Sequence, residues 1–262
     1  MSTRWNDIFQ LPEAALAGNK RVPKTMLTAQ AALTKHEQKT LDKMRRLEHF
    51  ATATKGTTRI LPRVDDELDI QSAIFLRCEM AGTSQAVTEV AHLLHKCFPN
   101  PTVIMQEVGD QICLSVSLTR KSHAERGATV IDRIESTGLF GEREDTWQPF
   151  LDCLAFGRLP QDDLYAYLLA MAGDVMLARA IDVLGFYPSV RAAGQERILV
   201  LVRRYNVLRS DVRRLYEKRK SPDMTLNDSA KLRMRIRKAE NQHDAALTEI
   251  RGLCLPQEGE SN

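Results

Sequence analysis

The chain has 262 residues, of which 43% are hydrophobic and 27% charged, and its formal net charge is +3. These proportions are typical of a globular protein large enough for two modest domains. The sequence contains no run of about 18 apolar residues, so we expect no membrane-spanning helix. The N-terminus lacks the pattern of a secretory signal. The five cysteines include no Cys-x-x-Cys pair, which argues against a disulfide framework or a zinc site and favours the reducing cytoplasm.

The first fifty residues predict an irregular arm followed by a helix. Residues 1–30 show no sustained periodicity. Thr34 stands three residues before Glu37, which is the spacing of a capping box at the start of a helix. Met44 and Leu47 continue a helical interval, so we expect this helix to reach about residue 50 and to end at the segment ATATKG.

The next segment predicts a strand, a helix and two further strands. The strand covers Ile70–Met80 and the amphipathic helix covers Gln85–Phe98. Thr102–Val108 and Gln111–Thr119 then form a hairpin around a Gly-Asp turn. A right-handed crossover would make the first two strands parallel, and the third antiparallel to the second. The third strand alternates apolar and polar residues, so we expect it to be half-exposed. The segment VIDRIEST could add an edge strand.

The remainder of the chain predicts helices. Asp162 and Asp163 can cap one that follows directly. Two stretches near the end carry apolar residues at alternating intervals of four and three: Leu201, Tyr205, Leu208, Val212 and Leu215, then Leu232, Ile236, Ala239, His243, Ala246, Ile250 and Leu253. The segment SPDMTLND between them is rich in turn and cap residues, so we expect an antiparallel coiled-coil hairpin.

The predicted fold class is therefore α+β: a small mixed β-sheet with helices on one face, followed by a helical region that ends in the hairpin. The predicted segments are a small α/β domain over 1–140, a helical connector over 141–190, the basic hairpin over 191–255 and a disordered tail over 256–262.

Positive charge is concentrated in the hairpin. Between Arg191 and Glu240 there are fifteen Lys and Arg residues against six Asp and Glu. Such asymmetry favours a nucleic-acid or acidic partner, although a solvated helix face would look the same. The candidate phosphate-contacting residues of the hairpin are Arg203, Arg209, Arg213, Arg214 and Lys218.

A second basic group lies near the N-terminus. Its members are Lys20, Arg21, Lys24, Lys55 and Arg59. They could face phosphate if the folded arm brings them together, with Arg offering a planar fork and Lys a mobile charge. The alternative is a solvated loop.

Other clusters are weaker candidates. The carboxylates of Asp65, Asp66, Glu67 and Asp69 are consecutive in a linker and lack calcium-loop spacing, so solvation is favoured over metal binding. His92, His95 and Cys97 could suggest a metal site, but a buried helix face is the better explanation.

Enzymatic motifs are missing. A restriction-type nuclease needs a strand ending in Glu-x-Lys, whereas Glu79 is followed by Met80 and Ala81. The chain also lacks GxxxxGK[ST], GxGxxG, HExxH and GxSxG. We therefore expect no catalytic residues, no metal and no cofactor.

The order of several segments resembles a known family. The segments are FQLP, NKRVPK, RLEHF, ATKGTTRI, IQSAIFLRCEM, VTEVAHLLHKCFPNP and TVIMQEVGDQICLSVSLTRKS. Together they resemble the domain-of-unknown-function family 4391 over roughly residues 5–140. The resemblance implies a short α/β domain with a charged helical tail and no established activity.

The resemblance also implies a setting. Genes of this family tend to lie beside helicases and adenine methyltransferases in bacterial restriction and antiphage loci. The first hypothesis is thus a non-enzymatic accessory subunit of a DNA-processing or defence complex, with a helicase or methyltransferase partner and possible self-association through the hairpin. The second is a nucleic-acid-binding protein that uses the basic helical face. The third is a divergent metal-dependent nuclease.

Overall fold

A computed structural model of the chain describes residues 5–31, 33–82, 86–125, 127–141, 144–188, 192–220 and 225–254. The chain divides into two units, Met1–Arg179 and Ala180–Asn262. Residues 144–179, which lie in the segment predicted as a connector, belong to the first unit. No helix among the described residues is long and apolar enough to cross a membrane.

The first unit combines strands and short helices. Its strands are β1 (Leu16–Arg21), β2 (Met44–Thr54), β3 (Arg63–Val64), β4 (Asp69–Ile70), β5 (Ser72–Met80), β6 (Thr102–Val108), β7 (Gln111–Lys121), β8 (Thr129–Ser136) and β9 (Phe140–Gly141). Its helices are α1 (Trp5–Phe9), α2 (Lys24–Gln30), α3 (Lys35–Asp42), α4 (Lys55–Thr58), α5 (Val87–Cys97), α6 (Gln148–Cys153) and α7 (Leu164–Ala178).

Within the described residues, seven strands form one mixed sheet in the order β1-β2-β5-β6-β7-β8, with β9 also paired to β7. The predicted pairing is confirmed: β5 and β6 are parallel, and β6 and β7 are antiparallel. Val108 pairs with Gln111 across the predicted turn, where Gly109 adopts a φ of 65° that glycine tolerates without strain. The VIDRIEST segment does form an edge strand, β8.

Helices cover both faces of the sheet rather than one. Adjacent residues of a strand point to opposite faces. Leu76 of β5 packs in a core cluster with Val90 and Leu94 of α5. On the other face, the ring of Phe75 contacts that of Phe9 in α1, with centroids 5.4 Å apart. The N-terminal arm is therefore part of the fold, since α1 buries Trp5 and Phe9.

The predicted helix over 34–50 is correct only in its first half. The capping box forms as expected, with the Glu37 amide donating to Thr34 Oγ1 and the Thr34 amide donating to Glu37. From Met44 onward, however, the chain forms strand β2, which lies between β1 and β5 in the sheet. Its pairing with β5 shifts register between Met44 and Arg46, so that one extra residue separates Met44 from Leu47 and both pack in the same core cluster. Because of the bulge, Met44 and Leu47 share a face of the strand at a spacing of three residues, which is also the spacing of residues on one face of a helix.

The expectation of a half-exposed β7 is wrong. Its apolar and polar positions are both buried, and Ser115, Ser117 and Thr119 are at most 2% exposed. The polar face lies beneath α5, which supplies His95 as a hydrogen-bond partner for Ser115. Alternation of apolar and polar residues shows that a strand has two different faces, but other elements can bury both of these faces.

The second unit contains α8 (Ile181–Leu184), α9 (Ala192–Arg219) and α10 (Leu226–Cys254). Its long helices are antiparallel: Arg197 pairs with Glu249 near one end, and Tyr216 bonds Glu240 nearer the other. Residues 221–224 of the predicted turn and the predicted tail over 256–262 lie outside the described residues. Thr225 caps α10 by accepting the Asp228 amide.

Candidate nucleic-acid interface

The apolar seams of α9 and α10 set which side chains of the hairpin face outward. Leu215, Leu232 and Ile236 form a buried cluster with Ala239 packed against it. Positions between seam residues on a helix must then point away from the partner helix. The predicted basic residues occupy such positions: Arg203, Arg213, Arg214 and Lys218 are exposed, and Arg209 is half-buried.

Sequence reasoning missed the contribution of α10 to this surface. Its exposed basic residues are Lys231, Arg233, Arg235, Arg237 and Lys238. They lie within the segment whose charge excess was noted, and the antiparallel pairing places them opposite the second half of α9. The sequence does carry a signal for their exposure, because these basic residues alternate with the apolar positions Leu232 and Ile236, which are buried. We call these five residues together with Arg213, Arg214, Lys218 and Arg219 the basic hairpin surface.

The acidic groups near this surface already have partners. Asp211 pairs with Arg214 at 2.9 Å, and Glu217 pairs with Lys220 at 2.7 Å. Glu240 accepts a hydrogen bond from the Tyr216 hydroxyl at 2.6 Å, and this bond raises the pKa of Tyr216. Most cations of the basic hairpin surface therefore lack a carboxylate within ion-pair distance among the described residues. Exposed positive charges without neighbouring carboxylates attract polyanions.

The N-terminal basic group is not brought together. Lys20 and Arg21 lie on the edge strand β1, opposite His49 and Glu48 of β2. Lys55 begins α4 after the far end of β2, and at about 3.3 Å per residue it lies roughly 20 Å from Lys20. Arg59 ends α4 in the left-handed conformation, with a φ of 66°.

Lys24 is also engaged elsewhere, because its ammonium group lies 3.5 Å from Asp42. These five residues form two separate groups and not one phosphate-facing patch, and Lys24 is half-buried.

The acidic linker is a structured turn. Asp65 accepts Arg63 Nε–H at 2.7 Å and the amides of Glu67 and Leu68 at 2.9 and 2.8 Å. The Arg63 guanidinium and these amides hold the pKa of Asp65 below its usual value. Lys121 donates to the Asp65 carbonyl oxygen. The Asp65 carboxylate thus stabilises the turn of the linker, and the Asp65 backbone carbonyl joins the linker to β7.

The remaining candidates do not converge on a cation site. On α5, His92 is exposed whereas His95 is buried, so they occupy different faces. Glu79 pairs with Arg45 at 3.0 Å. Across the ranges described by the structure, no three His, Cys, Asp or Glu side chains lie close enough to hold a metal ion.

A buried ionic network, which sequence reasoning also missed, lies on the sheet beside α1. Arg77 of β5 donates to Glu48 of β2 at 3.0 Å and to Glu107 of β6 at 2.7 and 2.8 Å. Glu107 also accepts the indole N–H of Trp5 at 2.7 Å. The carboxylates raise the pKa of Arg77, and Glu48 is 3% exposed. The network joins three strands and α1, and its groups are engaged with one another rather than directed at a ligand.

The fold and surface together define a class: a mixed α+β unit followed by a basic antiparallel helical hairpin. A family model, Domain of unknown function (DUF4391), matches residues 9–242, and the chain belongs to this family. The match extends well past the segments that carry the resemblance and into α10. Neither a curated protein nor a solved structure matches the chain significantly.

Proposed function

We propose that this chain is a non-enzymatic accessory subunit of a DNA-processing or defence complex and that it binds the nucleic-acid backbone through the basic hairpin surface. The observation that carries the proposal is the set of exposed cations in the basic hairpin surface, of which all but Arg214 have no carboxylate within ion-pair distance among the described residues. Phosphate contacts of this kind give affinity without reading sequence. The restriction and antiphage setting is taken from what the family resemblance implies.

The affinity of the basic hairpin surface for duplex DNA should depend strongly on salt concentration. Each neutralised phosphate releases condensed counterions, so about six contacts would weaken duplex binding roughly a thousandfold between 50 and 200 mM salt. Anisotropy of a labelled 30-base-pair duplex, titrated with the full chain over this range, measures the slope. A slope near zero, or no binding at low salt, would refute the proposal.

Charge reversal tests which surface is used. Arg214→Glu combined with Lys218→Glu should flatten the salt slope by about two, because two phosphate contacts are lost. Lys35→Glu combined with Lys39→Glu provides the control, since it makes the same charge change at exposed positions of α3 in the first unit. Equal losses in the two double variants would mean that the overall charge, and not the hairpin, controls binding.

A protein partner is the second candidate, and exposed apolar side chains on the same hairpin favour it. Val200 and Val207 are 59% and 58% exposed and lie seven residues apart, hence on one face of α9. Met234 of α10 is 76% exposed. A helicase or methyltransferase encoded alongside this chain is the expected partner. Co-purification from the native host should be lost in Val200→Asp combined with Val207→Asp, while salt-dependent DNA binding is retained.

A further inference from the structure

The second unit contains an open cavity of about 510 Å³ on the hairpin. The residues that line it are Asp182, Tyr205, Arg209, Val212, Arg213 and His243. They come from α8, α9 and α10, so the cavity depends on the folded unit and not on one helix. Its volume lies within the range of small-molecule sites, roughly 300–1,000 Å³.

The cationic wall of this cavity comes from α9. Tyr205, Arg209 and Arg213 follow one another at intervals of four, which places them on one face of the helix. No carboxylate of the described residues lies within ion-pair distance of Arg209 or Arg213. Two adjacent guanidinium groups present planar hydrogen-bond forks that match the oxygens of a phosphate group.

The opposite wall is provided by α10. The His243 ring packs on Tyr205 with centroids 4.5 Å apart. The His243 Nδ1–H donates a hydrogen bond to Asp244 at 3.0 Å. The other ring nitrogen, Nε2, takes no part in this bond. Asp182 also lines the cavity, and its carboxylate repels a bare anion but accepts hydrogen bonds from hydroxyl or amino groups.

We infer that this cavity binds a nucleoside phosphate group, with the phosphate on Arg209 and Arg213 and a sugar hydroxyl or base amino group on Asp182. The combination of two guanidinium groups with one carboxylate favours this ligand over inorganic phosphate. Two sources share the chemistry: the phosphorylated end of a nucleic-acid strand, and a free nucleotide. The first source rests on the proposed function, because the basic hairpin surface would then hold the strand that leads into the cavity.

The test uses the full chain and two probes. One is a labelled single-stranded 12-mer with or without a 5′-phosphate, measured by anisotropy. The other is AMP, measured by calorimetry. The phosphorylated 12-mer or AMP should bind wild type at least tenfold more tightly than Arg209→Gln, because a charged hydrogen-bonding partner is removed. Arg213→Gln should act in the same direction.

Arg204→Gln is the matched control, since it removes an exposed arginine of α9 that neither lines the cavity nor belongs to the basic hairpin surface. A 5′-phosphate preference lost in Arg209→Gln but kept in Arg204→Gln supports the inference, with a strand end as the ligand. AMP binding with the same pattern and no strand preference supports it with a free nucleotide as the ligand. Absence of both effects, or equal losses in the two variants, overturns it.

The outcomes also separate the cavity from the proposed function. If salt-sensitive duplex binding persists without any phosphate-end or AMP recognition, the proposed function stands and the cavity inference fails. If AMP binds but no DNA does, the cavity inference stands and the proposed function fails.

Discussion

The buried histidine of α5 should make the stability of the first unit depend on pH. His95 is 0% exposed, its Nδ1 contacts the Thr102 hydroxyl, and its Nε2 lies 2.9 Å from Ser115 Oγ. Burial lowers the pKa of His95 from its ordinary 6.5 to about 3, and electrostatic interaction with His92 nearby adds to this lowering. The folded protein therefore keeps this imidazole neutral under conditions in which the unfolded chain protonates it.

The direction and size of the effect follow from that difference. Below pH 6.5 the unfolded chain binds a proton that the folded chain does not, so unfolding becomes more favourable as the pH falls. The free energy of unfolding should decrease by about 1.4 kcal/mol per pH unit through this window. The stabilisation is complete above pH 6.5, and at pH 5 about 2 kcal/mol of it has been lost.

The variant His95→Gln isolates this effect. Glutamine cannot take a proton, and at neutral pH we expect it to cost about 2 kcal/mol because one buried hydrogen bond is lost. The difference in unfolding free energy between wild type and His95→Gln should then shrink towards zero near pH 5. Urea titrations followed by tryptophan fluorescence report the first unit, since both tryptophans, Trp5 and Trp147, lie buried there.

His92→Gln is the matched control, because His92 is exposed on the same helix. Its pH dependence should follow that of wild type. Parallel curves for wild type and His95→Gln between pH 7.5 and 5 would refute the reasoning, since they would mean that His95 titrates equally in the folded and unfolded chains.

Three further changes test the packing. Arg77→Met should lower the unfolding free energy by roughly 3 kcal/mol in urea, because Glu107 would lose its counter-charge in a largely buried position while Glu48 would keep only Arg46; a loss below 1 kcal/mol would contradict this. Thr34→Ala should cost about 1 kcal/mol by removing the cap of α3, and an unchanged urea midpoint would argue against the capping box. Ile236→Ala should cost about 3 kcal/mol in the second unit, seen as a lower melting temperature of helical circular dichroism with unchanged tryptophan fluorescence.

Local signals predicted the parts of the fold in which one principle dominates. The hairpin of β6 and β7 follows from a Gly-Asp turn between two apolar runs, and α5 from its amphipathic pattern. The cap of α3 follows from the spacing of Thr34 and Glu37. Each of these needs only neighbours in sequence, which is why the sequence predicts them.

The failures involve contacts between distant segments. The sequence predicts a helix where strand β2 begins, because the bulge at the start of the strand gives Met44 and Leu47 a spacing of three on one face. The burial of Ser115 and Ser117 depends on the helix that covers them, and His95 lies twenty residues from Ser115. Periodicity shows which residues share a face but not whether another element covers that face.

The candidate site shows the same division. The charge excess of the hairpin is visible from composition, and of the arginines selected on α9, Arg203, Arg213 and Arg214 are exposed whereas Arg209 is half-buried. The cavity was not predictable, because it combines Asp182 with His243, which come together only when α8, α9 and α10 pack. The separation of Lys20 from Lys55 likewise required the pairing of β1 with β2.

The two units use charge in opposite ways, and this difference is the reason to assign binding to the hairpin. In the first unit, Arg77 is held between Glu48 and Glu107, so its charge contributes to cohesion. In the hairpin, Arg233 and Arg237 are four residues apart and exposed on one helix, an arrangement of like charges that costs a few tenths of a kcal/mol. Such pairs do not help the hairpin fold. A polyanion that neutralises them removes this repulsion, so the surface is better suited to a bound phosphate backbone than to water alone.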